Sequence, residues 1–358
     1  MWPSRKLLDL IGIEVPIIQA PMAGSTGAAI AIAACKAGAL GSLPCAMISP
    51  DKVRAEIGVI RQQTDKPLNV NFFTHTPPDP DPARDADWKA SLAPYYVELG
   101  LDKSASVSAV SRAPFDETLC EIIEDVKPKV VSFHFGLPNS ALLDRVKAAG
   151  CVVLSSATTV AEARWLESNG CDAIIAQGSE AGGHRGMFLS EDIATQVGTM
   201  ALVPQVVDAV SVPVIAAGGI ADGRGIAAAF ALGASGVQMG TAYLFTPESL
   251  VSDLHRRALS EAKDDQTALT NLFSGRPSRG LMNRLMREVG PMSDLAAAFP
   301  TAGGALAPLK TVAEAKGSTD FTSLWSGQSA ALGVVTGAED LTRRLMEDAL
   351  RCLKALSS

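Results

Sequence analysis

The chain is poor in aromatic residues and has no excess of positive charge. Aromatic residues make up 5% of its 358 residues, and the formal net charge is -7 at pH 7. A chain without a basic block or an aromatic-rich basic stripe lacks the surface that binds nucleic acid or an anionic membrane. These absences favour a small molecule as the binding partner and exclude nucleic acid and membrane.

The chain also lacks a dense cysteine pattern and a long apolar run. Its six cysteines are widely spaced, with no Cys-x-x-Cys pair, so we expect neither a metal site nor a disulfide scaffold. The N-terminal residues lack the apolar core of a signal peptide, and the apolar run 27–35 has about half the length of a membrane span. We therefore expect a cytoplasmic protein.

What the chain does contain is a repeated pattern of an alanine-rich helical end, a glycine and a short apolar strand. This pattern recurs four times, at 36–43, 147–154, 167–175 and 231–238. A glycine just past the last helical turn adopts the left-handed conformation that ends a helix. The apolar run that follows is continuous, as in a parallel strand covered on both faces. The pattern predicts repeated βα units.

The predicted strands number eight. They are Pro16–Ala20, Leu40–Leu43, Leu68–Phe73, Val130–His134, Val152–Ser155, Ala173–Ala176, Val214–Ala217 and Gly236–Met239. Helical patterns between them predict an α/β fold, a (β/α)8 TIM barrel. We expect the barrel over residues 1–245, with an inserted segment at about 74–113 after the third strand. Residues 246–358 would form a helical extension packed on the barrel, with a last helix at about 338–356.

The ends of the predicted strands carry polar and glycine-rich segments, and barrel enzymes bind ligands at these ends. The last two strands end in Gly218-Gly219 and in Gln238-Met-Gly-Thr, whose bare backbone N–H groups suit a phosphate. Asn71 and Gln177 offer amide groups to the edge of a heteroaromatic ring, beside the backbone of Pro21 and Met22. Together these features describe a flavin mononucleotide (FMN) pocket.

A glycine-rich segment with a central histidine follows the sixth predicted strand, at 176–186. Glycine lets the backbone approach a bulky ligand, and His184 can exchange protons near neutral pH. His134 also ends a predicted strand, where it either lines a substrate pocket or bonds to neighbouring backbone at the rim. His75 and His255 are expected to be structural.

These segments together resemble the class I nitronate monooxygenases, formerly called 2-nitropropane dioxygenases, over residues 10–315 or so. The resemblance implies a barrel that carries FMN and oxidises alkyl nitronates, such as propionate-3-nitronate, with O2 to a carbonyl compound and nitrite. It further implies that His184 is the catalytic base, that Gly183 lies beside it in the substrate pocket, and that the partners are O2 and a small nitronate or nitroalkane. A homodimer is left open.

The resemblance also implies the residues that contact FMN. They are Ala20, Pro21, Met22, Asn71, Gln177, Gly182, Gly218, Gly219, Gln238, Met239, Gly240 and Thr241. One departure concerns the substrate, because some family members place tyrosines in the C-terminal region. This chain has only Tyr95, Tyr96 and Tyr243, which leaves the identity of the nitronate open.

Three alternative functions remain open. An FMN-dependent enoyl-acyl-carrier-protein reductase shares the barrel and a similar Glu-Ala-Gly-Gly-His stretch but takes electrons from a nicotinamide, and an NAD(P)H-dependent flavin reductase would do the same. The Ala-Pro-Met-Ala-Gly segment and Arg185-Gly-Met-Phe resemble the monooxygenases instead. A noncatalytic flavin-binding barrel is the alternative outside enzymes.

Overall fold

The computed structural model describes residues 2–102 and 112–357. The stretch 103–111 of the expected insertion therefore lies outside the described residues, as do the two terminal residues of the expected domains.

Eight parallel strands form the central sheet. They are β1 (Ile17–Gln19), β2 (Gly41–Pro44), β3 (Leu68–Phe73), β4 (Val130–His134), β5 (Val152–Ala157), β6 (Ala173–Gln177), β8 (Val214–Ala217) and β9 (Gly236–Met239), and β7 (Gly183–His184) lies outside this sheet. Their spatial order is β1-β9-β8-β6-β5-β4-β3-β2. The N–H of Leu40 donates to the carbonyl of Ile17 at 3.0 Å and links β2 to β1. The predicted barrel is thus confirmed.

Helices cover the outside of this barrel. They are α2 (Ala28–Lys36), α3 (Pro50–Gln63), α5 (Glu117–Val126), α6 (Ser140–Ala148), α7 (Val160–Ser168), α8 (Thr199–Ala209), α9 (Gly223–Ala231) and the short α10 (Thr241–Leu244). Several begin where a side chain caps the free backbone N–H groups: Asp116 accepts from Leu119 N–H and Asp222 from Arg224 N–H. These caps satisfy backbone N–H groups that the first turn of a helix leaves without a partner.

One end of the barrel is closed by the N-terminal helix α1 (Lys6–Ile11). Leu7, Leu8 and Ile11 are buried together with Val130 and Val152, which begin their strands. Since the amino ends of the strands are covered in this way, the open end of the barrel is the one where the strands finish and the functional loops begin.

The expected insertion contains the helix α4 (Pro82–Glu98), which packs on a helix of the C-terminal extension, α13 (Ala302–Ala315). The Trp88 indole N–H donates to the carbonyl of Ala302 at 2.9 Å, and the Tyr96 hydroxyl donates to that of Ala305 at 2.6 Å. The insertion and the extension therefore share a core of their own beside the barrel.

The extension contains strands as well as helices. Its helices are α11 (Asp253–Ser260), α12 (Arg284–Val289), α13 and α14 (Ala338–Ser357), and its strands are β10 (Thr267–Thr270) and β11 (Ser278–Leu281). The antiparallel strand β11 pairs with β10 on one side and with β7 on the other. Sequence analysis anticipated only helices here, because Ser278-Arg-Gly-Leu lacks the apolar alternation that marks a strand.

The last helix returns to the barrel and packs on α9. It also reaches α10, where the Tyr243 hydroxyl and the Thr342 Oγ1 lie 2.8 Å apart, both residues being buried. Among the described residues, no helix combines the length and the apolar character that crossing a bilayer requires.

The contact between α9 and α14 allows no side chain at Gly223, since a Cβ there would lie 2.5 Å from the backbone nitrogen of Ala349. We expect Gly223→Ala to lower the free energy of unfolding by about 1–3 kcal/mol through overpacking. Gly58, in α3, is the matched control, because a Cβ there meets nothing within 4 Å. Gly58→Ala should stabilise the protein by about 0.5–1 kcal/mol. Equal effects of the two substitutions in urea unfolding would contradict this packing.

Candidate active site

A cavity lies at the carboxyl ends of the barrel strands and gathers nearly all of the predicted site residues. Those that line it are Ala20, Pro21, Met22, Asn71, His134, Gln177, Gly182, Gly183, His184, Gly218, Gly219, Gln238, Gly240 and Thr241. They come from the ends of β1, β3, β4, β6, β8 and β9 and from the loop after β6. Residues far apart in the chain therefore form one concave surface.

Met239 is the predicted site residue that does not line this cavity. Its side chain is buried in the core between strands and helices, because successive side chains of a strand point to opposite faces and Gln238 already faces inward. Its carbonyl accepts a hydrogen bond from Ala20 N–H at 2.8 Å. Met239 thus aligns the first cavity loop with β9.

Part of the cavity surface is backbone without side chains. Gly218 and Gly219 have φ values of 108° and 72°, which lie in the region that favours glycine. Gly182 lies so close to the extension that a Cβ would be 2.5 Å from the backbone nitrogen of Gly327. Gly327 N–H in turn donates to Thr241 Oγ1 at 2.9 Å. The extension therefore closes one side of the cavity.

The amide groups at the strand ends have different partners. The Gln177 amide donates from Nε2 to the His184 carbonyl at 3.0 Å and accepts at Oε1 from Gly186 N–H at 2.7 Å. Asn71 donates from Nδ2 to Ser132 Oγ at 2.9 Å. The Gln238 Oε1 is buried and has no hydrogen-bond partner in the described part of the chain. Gln177 thus holds the histidine loop, and Gln238 has a free acceptor for a ligand.

His184 lies between this loop and the extension. Its Nε2 is 2.9 Å from the hydroxyl of Ser274, and its carbonyl lies 3.2 Å from the Nε2 of His134. Its imidazole packs against aromatic rings, with centroid distances of 5.5 Å to Phe299 and 5.6 Å to Trp325. The half-buried imidazole is therefore held in a largely apolar surrounding.

Burial lowers the pKa of His184 well below 6.5, and the nearby Arg112, His134, Arg276 and His75 lower it further. Burial also lowers the pKa of His134 to about 4 and that of His75 to about 4. No carboxylate is among the described residues that line the cavity. Near neutral pH all three imidazoles are therefore uncharged, and His184 is able to accept a proton.

Two arginines give the site its positive charge. Arg112 lines the cavity, and its Nε and Nη1 atoms are buried without a hydrogen-bond partner among the described residues. The guanidinium of Arg276 lies 4.2 Å from the ring centroid of Phe135, and its Nε is likewise unpartnered. Since buried guanidinium groups are normally paired, the unpartnered atoms of Arg112 favour an anion in the cavity.

Sequence reasoning missed several of these residues. Phe73, Arg112, Trp325, Ser326 and Gly327 also line the cavity, and His75, expected to be structural, packs its ring 4.7 Å from that of Phe299 beside the site. The Trp-Ser-Gly-Gln sequence at 325–328 was a usable sign, because glycine beside small polar residues often marks a binding loop. Arg112 belongs to no recognisable sequence motif and offered no such sign.

The model of the nitronate monooxygenase family matches residues 4–348 of the chain. The chain belongs to this family. It is 44% identical to a nitronate monooxygenase of Pseudomonas aeruginosa over 96% of this chain and 99% of that protein. The family assignment agrees with the resemblance found in the sequence, and it makes the protein an enzyme, a flavin-dependent oxidoreductase.

Solved structures extend this comparison. A nitroalkane oxidase from Streptomyces ansochromogenes is 37% identical, with a TM-score of 0.88, over 98% of this chain and 99% of that one. FabK from Thermotoga maritima is 28% identical, with a TM-score of 0.73, over 100% of this chain and 99% of that one. The nitronate monooxygenase fold thus extends over the barrel and the extension alike.

His255 lies outside the cavity lining but fixes one of its residues, since its Nε2 donates to the carbonyl of Trp325 at 3.1 Å. Burial lowers the pKa of His255 to about 4, and the Trp325 carbonyl only partly offsets this effect. Between pH 6.5 and 4 the unfolded chain therefore binds more protons than the folded one at this position. The contribution of the neutral His255 imidazole to the free energy of unfolding is therefore lost as the pH falls from 6.5 to 4.

We expect His255→Gln, whose amide keeps a donor but does not titrate, to flatten the pH dependence of unfolding between pH 6.5 and 4. The slope of the unfolding free energy against pH should fall by up to about 1.4 kcal/mol per pH unit. Urea unfolding at a series of pH values measures this slope. Above pH 7.5 the unfolding free energies of the two proteins should depend on pH in the same way. Identical slopes below pH 6.5 would contradict the buried neutral state.

Proposed function

We propose that this nitronate monooxygenase uses FMN to oxidise alkyl nitronates, propionate-3-nitronate among them, with O2 to a carbonyl compound and nitrite, and that His184 is the catalytic base. The proposal rests on one aromatic cavity that contains both His184, whose pKa burial holds well below 6.5, and Arg112, whose buried Nε and Nη1 have no hydrogen-bond partner among the described residues. A nitroalkane that loses its α-proton becomes an anion, so its oxidation needs both a base and a cation.

The residues present fit FMN. The bare backbone at Gly218, Gly219 and Gly240 leaves room for a phosphate at adjoining strand ends. The buried Oε1 of Gln238, to which no described residue donates, suits a ring N–H of the flavin, because a buried acceptor without a partner is costly. When bound, FMN supplies the acceptor for the electrons of the substrate.

The other steps belong to the side chains. Neutral His184 accepts the α-proton of a nitroalkane, and a substrate that arrives as the nitronate needs no such step. Arg112 stabilises the anion, since it meets no carboxylate in the cavity. Phe73 and Trp325 contribute apolar walls that exclude water and suit a short alkyl chain.

We also propose that the enzyme works in the cytoplasm, where it would detoxify nitroalkanes. The support for this location is the state of the cysteines: all six are free thiols, and five of them are buried. Free thiols suit a reducing compartment.

The test of the function is an aerobic assay in which nitrite release and O2 consumption are followed after addition of propionate-3-nitronate. We expect nitrite release and O2 consumption to begin together when the nitronate is added, and neither to occur without it. An anaerobic addition of NADH discriminates the alternatives, because a reductase would bleach the flavin absorbance quickly and a monooxygenase would not. Rapid bleaching without nitrite release would contradict the proposal, and flavin with neither activity would indicate a noncatalytic barrel.

Replacement of His184 by asparagine tests the base. We expect kcat/KM for neutral nitroethane to fall by about 100-fold or more, the usual range for a general base, while the visible flavin spectrum is kept. The parent enzyme should stay active below pH 6.5, because burial and the surrounding Arg112, His134, Arg276 and His75 keep the pKa of His184 low. A variant as fast as the parent on nitroethane would exclude His184 as the base.

Replacement of Arg112 by methionine tests the anion site. A hydrogen bond to a charged group contributes about 1.5–3 kcal/mol, so its loss should raise the KM for ethylnitronate by about 10-fold or more. Arg112→Lys, which keeps the charge, should restore part of the affinity. Arg343, exposed on α14 and paired with Glu339, is the control, since Arg343→Met should leave KM unchanged. An unchanged KM in Arg112→Met would show that the cavity binds its anion elsewhere.

A further inference from the structure

The side chain of His184 has one hydrogen-bond partner among the described residues. This partner is Ser274, whose hydroxyl lies 2.9 Å from Nε2 and is almost fully buried. Ser274 belongs to the extension, in the loop between β10 and β11. No described residue hydrogen bonds to the Nδ1 of His184. The two ring nitrogens therefore have different surroundings.

The position of Ser274 is fixed by its neighbours. Gly275 has a φ of 89°, and a Cβ there would lie 2.3 Å from the carbonyl of Ala297, so the turn accepts only glycine. Further along, Ser278 pairs with His184 in the β11–β7 ladder, and Arg185 N–H donates to the carbonyl of Pro277 at 2.9 Å. The same short segment thus holds both the backbone and the imidazole of His184.

The hydroxyl of Ser274 has two further contacts, both with the backbone of Arg276. It lies 3.3 Å from the Arg276 carbonyl, which can only accept, and 3.4 Å from the Arg276 N–H, which can only donate. When the hydroxyl donates to this carbonyl, its oxygen is left to accept from Nε2–H of His184. The hydrogen bond at one ring nitrogen decides which nitrogen carries the proton. In this arrangement all three contacts of the Ser274 hydroxyl are satisfied with His184 in the Nε2–H tautomer.

We propose that Ser274 is a positioning residue that holds His184 in the Nε2–H tautomer, so that Nδ1 is the atom that accepts the α-proton of a neutral nitroalkane. The proton moves from the substrate carbon to Nδ1, and the C–H electron pair stays on the substrate as the nitronate. The imidazolium that forms donates from Nε2 to Ser274. The inference deepens the proposed function and rests on it only for the identity of the substrate.

The direct test is the tautomer itself, measured on the FMN-loaded protein labelled with 15N-histidine. With only four histidines in the chain, comparison with His184→Asn assigns the His184 signals in a long-range 1H–15N correlation spectrum. At pH 7.5 we expect a protonated Nε2 and an unprotonated Nδ1, and in Ser274→Ala we expect the Nδ1–H form to appear. The Nδ1–H form in the parent, or an unchanged tautomer in Ser274→Ala, would overturn the proposal.

Kinetics provide a second measurement, which would be unchanged if Ser274 had only a structural role. Ser274→Ala should lower the ratio of kcat for neutral nitroethane to kcat for preformed ethylnitronate by about 10-fold. This factor corresponds to the loss of one hydrogen bond of about 1.4 kcal/mol. Ser274→Thr, which keeps a hydroxyl, should restore the ratio. Equal losses on both substrates would contradict the positioning role.

Ser260→Ala is the matched control, because its hydroxyl also donates to a backbone carbonyl, that of Arg257 at 2.8 Å, but lies exposed on α11 without contacting His184. It should leave both the tautomer and the substrate ratio unchanged. The tautomer measurement needs no turnover, so a failure of the proposed activity and a failure of this inference are seen separately.

Discussion

The pairing of β7 with β11 is the contact on which the site depends. It joins the two residues Gly183 and His184, in a loop of the barrel, to a strand that lies about a hundred residues later in the chain. A loop of glycines would otherwise be free to move, because glycine has many accessible conformations. The pairing fixes the backbone of His184, and Ser274 in the same segment holds its ring.

Burial then decides the chemistry of the histidine. Aromatic rings of Phe299 and Trp325 surround its imidazole. The nearby charges of Arg112 and Arg276 make protonation of this imidazole unfavourable. The imidazole is therefore neutral and ready to accept a proton, while Arg112 remains charged because a guanidinium keeps its proton at neutral pH. A base and a cation in one apolar cavity suit a reaction that turns a neutral acid into an anion.

The sequence predicted the barrel and most of its strand ends, because continuous apolar runs after helix-ending glycines are a local pattern, as at Val152 after Gly150 and at Ala173 after Gly170. It did not predict the strands of the extension, since β11 is stabilised by its pairing with distant segments and not by its own residues. Arg112 and Ser274 were missed for the same reason. Their roles depend on contacts across the fold, which no local pattern records.

The central claim is that the cavity at the strand ends binds FMN beside His184. The most direct measurement is identification of the flavin released by heat from purified protein, by chromatography and mass spectrometry, with its amount related to the protein concentration. The account predicts FMN at one molecule per chain. Protein that carries no flavin and takes up none when supplied with FMN would contradict it.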